Sequence, residues 1–139
     1  MAALAGQHLR VLLRASRTMQ VLLLDVQPDG GVQVLYPAPD LPKELQPLAA
    51  GVAHAVPDPG TPPITIGPPF GTDRLLAFGF PEPVPEMSHL AGRYFAPDAD
   101  LAVLTTLLRD PAVVRAGLAL VTVPASAEAG VAQSSAGSR

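Results

Sequence analysis

The segment HAVPDPG, residues 54–60, sets an imidazole four positions before a carboxyl group across a proline-bounded turn. An acid that orients a histidine is part of the machinery of nucleophilic catalysis, so His54 and Asp58 define a small-hydrolase reading. That reading lacks its nucleophile. No serine stands in a G-x-S-x-G context, and Ser16, Ser88, Ser126, Ser134, Ser135 and Ser138 fall in turns, a connector or the C-terminal stretch. The plainer account gives Asp58 to the backbone of its own Asp-Pro-Gly turn and leaves His54 as a solvated side chain at a strand end. His8, His54 and His89 lie in three separate segments, and the chain has no cysteine. Spacing therefore offers no metal motif, and no cofactor is expected.

A second candidate is GPPFGTDR, residues 67–74, where two prolines and two glycines constrain Phe70 at a loop tip. A ring held on a rigid loop suits an anchor for a protein partner, and Phe70, Asp73 and Arg74 form the candidate binding set. The competing reading folds Phe70 back as a lid on the core and pairs Asp73 with Arg74 locally. The loop lacks the G-x-x-x-x-G-K spacing of a phosphate cradle. Glu44, Glu82 and Glu86 are scattered, so paired-carboxylate chemistry would depend on the fold bringing acids together. In RYF, residues 93–95, the aromatic rings are expected to dock a connector onto the core rather than stack on a ligand.

Composition narrows the classes further. A formal charge of −3, a single lysine (Lys43) and a pI near 5.4 supply no basic field for nucleic acid. With 48% hydrophobic and 15% charged residues, the 139-residue chain can build a core. Apolar runs such as Val21–Leu24 are far too short to span a bilayer. Arg10 and Arg14 interrupt the stretch where a signal peptide would need continuity, which favours the cytoplasm unless a longer parent chain directs export.

The elements that must position these residues read mainly as strands. In HLRVLLRAS, Leu9, Val11 and Leu13 share one face and Arg10 and Arg14 the other, with Leu12 out of pattern. Met19–Val26 and Val32–Tyr36 flank Gln27–Gly31, predicting an antiparallel hairpin in which Asp29 bonds the backbone and Gly30 and Gly31 take positive φ. The unbroken run Val21–Leu24 implies a central strand buried on both faces, whereas Val32, Val34 and Tyr36 alternate with Gln33 and Leu35. Prolines 37 and 39 stop the second strand, and Leu41–Leu48 has room for a single helical turn. Strand-like AAGVAHAV and PITIG follow, then TDRLLAFGF with Leu76, Phe78 and Phe80 toward the core. Residues 81–97 read as a proline-rich connector. Asp98 or Asp100 caps a helix carrying Leu101, Leu104 and Leu108, Asp110, Pro111 and Gly117 suit a second short helix, and LALVTV is a final strand. The expected fold is an antiparallel β-sandwich or partly open barrel of about seven strands with one or two short C-terminal helices. It forms one domain over residues 1–124, with 125–139 disordered.

The segments VLLLDVQPDGGVQVLYP, AAGVAHAVP and PPFGTDRLLAF together resemble a bacterial family, domain of unknown function 4384, over about residues 9–80. Asp29, Gly30, Pro37, Gly51, Pro57, Gly71, Asp73 and Leu75 occupy its motif positions, and each has a backbone or packing reason to be there. The strand that carries a tyrosine-rich pattern in the family reads VLLL here. The resemblance implies a domain appended to caspase-like peptidases, protein kinases and other multidomain proteins, with any catalytic module elsewhere. The expected function is a non-catalytic accessory module that offers strand edges or end loops to a protein partner or a parent-chain effector domain. The alternatives are the His54–Asp58 hydrolase and a β-barrel holding a small apolar ligand.

Overall fold

The computed structural model of the protein describes residues 2–124, so the expected tail over 125–139 lies outside the described residues. Ten strands form: β1 (Ala2–Leu4), β2 (His8–Leu9), β3 (Val11–Arg14), β4 (Gln20–Val26), β5 (Val32–Tyr36), β6 (Ala53–Val56), β7 (Ile64–Thr65), β8 (Gly71–Phe80), β9 (Tyr94–Phe95) and β10 (Val114–Val123). Six of them make one open sheet in the order β1-β10-β8-β4-β5-β9, antiparallel except for the β1–β10 pair. The β2–β7 and β3–β6 pairs form two small sheets. The architecture is mainly β, and the large sheet does not close into a barrel.

Strand alternation splits the interior in two. Leu22 and Leu24 of β4 join Val32, Val34, Phe78 and Phe80 on one face, covered by Met87 and Leu90 of helix α1 (Met87–Leu90) and Leu104 of helix α2 (Ala102–Leu108). On the opposite face Val21 and Leu23 meet Leu13 of β3 and Val56 of β6. Val21–Leu24 are all no more than 6% exposed, so β4 is the doubly covered central strand its composition demanded. The sheet is thus sandwiched between helices and the two small sheets.

Three local expectations are corrected. A bulge between Leu23 and Leu24 shifts the β4–β5 register, so Tyr36 leaves the face of Val32 and Val34 and packs with Leu23. In the hairpin, Asp29 Oδ1 accepts from the Gly31 N–H at 2.8 Å as expected, but only Gly30 (φ +93°) adopts positive φ. Gly31 is small for another reason, because a Cβ there would lie 2.5 Å from Tyr94 Oη. The second C-terminal helix does not form. Asp110 Oδ1 accepts from Ala112 N–H in a turn, and the chain from Val114 pairs with β8 throughout, from Val114–Gly79 to Thr122–Gly71. A full ladder with a central strand outweighs the weak propensity of an isolated helical turn.

The connector over 81–97 holds α1 and β9. Phe95 is buried in the helix-side core beneath Arg93, whose guanidinium sits 4.5 Å from the ring centroid, while Tyr94 stays 47% exposed. Asp100 Oδ1 accepts from the Ala102 N–H at the start of α2, whose N-cap position is Leu101 without a side-chain cap. Among the described residues no helix is long and apolar enough to cross a membrane.

Candidate functional site

The hydrolase pair stays within 4.8 Å once folded, but its two members make no hydrogen bond to each other. His54 Nε2 lies 2.7 Å from Glu44 Oε2, not on Asp58, and its ring meets Tyr36 edge-on at 5.2 Å. Glu44, 1% exposed in the 3-10 turn Pro42–Leu45, also accepts from the Ala38 N–H at 2.8 Å. Burial, and then the charge of Glu44, push the Tyr36 hydroxyl up to about 12. Asp58 accepts from the Gly60 N–H at 2.9 Å and from Lys43 Nζ, the latter bond holding its carboxyl below the usual range. Arg10 completes the corner by donating to the carbonyls of Pro57, Asp58 and Thr61. One ligand atom from each of Glu44, His54 and Asp58 falls within 4.8 Å of the others, yet each already has a protein partner and Lys43 brings a positive charge beside them. The cluster ties the 3-10 turn and the 57–61 turn to β6.

The GPPFGTDR loop divides its candidates differently. Phe70 is half-buried and belongs to neither core cluster, Arg74 is exposed, and Asp73 is 92% buried. Asp73 and Arg74 form no ion pair, because neighbouring strand residues point to opposite faces. Asp73 shares its face with Asp25 of β4, and the two carboxyls line a cavity of about 220 Å³ under the β2–β7 sheet. Burial, followed by the hydrogen bond and charge of Asp73, raises Asp25 to about 8. The remaining motif residues serve the backbone: Pro37 is fully buried, Gly51 (φ +74°) donates to the Ala15 carbonyl, and Gly71 sits at φ +140° against Pro28. Asp25 was legible as a warning, since it follows Val21 and Leu23 at the same parity and so must enter the buried face.

The largest feature that motif reading missed is the start of β10, Val114–Gly117, which extends the expected LALVTV strand. Among the described residues the outer edge of β10 is paired only at the C-terminal end, where β1 meets Val121–Val123. From Val114 to Ala119 every residue is exposed, with Val114 and Leu118 each 45% so. Beside this open edge lies an apolar cleft of about 220 Å³ between β3 and the β8–β10 ladder, lined by Leu13, Met19, Leu48, Val114 and Ala116. Arg14 and Arg115 border it, and neither meets a carboxyl group among the described residues. A long edge of unpaired N–H and C=O groups is a template for another strand, and adjacent pockets select its side chains.

No curated protein and no solved structure matches this chain. Residues 4–83 do match the family described as Domain of unknown function (DUF4384), a span running from β1 through β8 to the start of the connector. That match covers more than half of the sequence, and the chain therefore belongs to the Domain of unknown function (DUF4384) family.

Proposed function

We propose that the domain is a non-catalytic accessory module that captures an extended segment of a protein partner by adding it as a strand to β10. The observation that carries this reading is the bare backbone edge of Val114–Leu120, flanked by exposed Val114 and Leu118. Natural edges of this length are usually blunted by lysine, proline or a bulge. Here Arg115 is the single charged residue in the stretch, and its guanidinium is engaged by the carbonyls of Leu108 and Val113. An added strand gains main-chain hydrogen bonds worth about 0.5–1.5 kcal/mol each. Its inward side chains reach the cleft, which has room for one aliphatic or aromatic anchor. The two arginines favour acidic residues beside that anchor.

Both alternatives have less support. His54 is oriented by Glu44 and has no hydroxyl among its hydrogen-bond partners, so a nucleophile is not in place. The cavity between the sheets is smaller than the roughly 300 Å³ typical of a ligand pocket.

Selection of random peptides displayed against the domain tests the proposal. Enriched peptides should show alternating apolar residues with an acidic flank, and Leu118→Lys and Val114→Lys should each weaken them at least tenfold while melting as the wild type does. Peptides that bind both folded variants equally would remove β10 as the capture surface.

A further inference from the structure

The cavity beneath the β2–β7 sheet holds a charge problem that the strand-capture reading does not use. Asp25 and Asp73 project from neighbouring strands onto one face, and Asp25 Oδ1 and Asp73 Oδ1 are buried without a hydrogen-bond donor among the described residues. No lysine, arginine or histidine lines the cavity, so no side chain compensates a second negative charge. His8, on the covering strand β2, is exposed and outside the lining, and β7, β5 and β10 contribute Thr65, Gln33 and Thr122, none of which titrates. Two carboxyl groups in such a place need a shared proton or a cation.

Besides the two carboxyls, the polar side chains of the lining are Gln27, Gln33, Thr65 and Thr122, each of which carries an oxygen able to ligate a cation. Gln33 spends its amide hydrogens on the carbonyls of Val34, Gly92 and Arg93, which leaves its oxygen to accept. Thr122 Oγ1 is occupied with the backbone of Gly71, fixing the floor of the cavity where β10 meets β8. With no sulfur or imidazole present, the donor set is all oxygen, which suits a hard cation rather than zinc or copper. Asp73 is nine-tenths buried, unpartnered at Oδ1 and turned into this space.

We infer that the Asp25–Asp73 cavity is a binding site for a hard divalent cation of the calcium class, held between the two facing carboxyl groups.

Titration calorimetry of the full chain with CaCl₂ reads this directly. The expected result is a dissociation constant on the order of 10⁻⁴ to 10⁻³ M at pH 9, with binding lost in Asp25→Asn. Asp73→Asn is the second variant. A thermal melt in 10 mM CaCl₂ should rise for the wild type and stay fixed for either Asn variant that folds. No heat and no thermal shift in the wild type at pH 9 would overturn the inference, as would an equal response in Asp25→Asn.

Discussion

Gly79→Ala isolates the packing that joins the core to the capture cleft. In a strand interior, glycine is worse than alanine by about 0.5–1 kcal/mol, so a free site would gain stability on substitution. At position 79 the added Cβ would stand 1.9 Å from Met19 Sδ and 3.2 Å from its Cγ, against a comfortable separation of about 3.5–4.0 Å. Met19 must therefore retreat by about 2 Å. It is 5% exposed, and its backbone is bridged to Leu48, so only its flexible side chain can yield. The clash should outweigh the gain and leave a net loss of about 1–2 kcal/mol. In a Met19→Ala background the clash is gone, and the same change should be neutral or stabilising. Urea unfolding of the four proteins in the cycle gives the coupling, expected at about 1–3 kcal/mol. Additive effects would refute the packing of β4, β8 and the Met19 bridge described above. Since Met19 and Gly79 both line the cleft, Gly79→Ala should also weaken selected peptides.

Two further outcomes follow from buried acids. Asp25 is raised in the fold above its ordinary value of 3.8, so its stabilising contribution is complete below about pH 4 and is lost as pH rises through about 8. Stability measured in urea without divalent cations should fall across that window, and Asp25→Asn should flatten the fall; an unchanged slope would contradict the assignment. Glu44→Ala strands the Ala38 N–H and His54, and should cost about 3 kcal/mol by the same assay. Lys43→Ala, at the exposed side of the cluster, should leave the midpoint nearly unchanged, and equal losses for the two would show that the network is not organised by Glu44.

Much of the fold was legible because its strongest signals are local. The doubly buried Val21–Leu24 run and the Asp29-Gly30 turn follow from alternation and backbone geometry, and both stand in the structure. The face taken by Tyr36 was not legible, because a bulge is set by pairing between strands and leaves no mark on the apolar-polar pattern of the β5 sequence. Val114–Gly117 read as helix end because the Asp-Pro start is a local cue, whereas the partner that makes it strand, β8, lies far back in the chain. The sites suffered most from this limit. His54 found Glu44 across a turn, and Asp73 found Asp25 across two strands, pairings that spacing along the chain does not encode.

Amide hydrogen exchange along β10, with and without a selected peptide, confronts the capture proposal most directly. The outward amides between Val114 and Leu120 should exchange freely in the isolated domain and slow at least tenfold at alternate positions when peptide binds, with the amides of β9 unchanged. Protection that appears only at β9 or the 67–70 loop, while β10 still exchanges freely, would contradict strand addition.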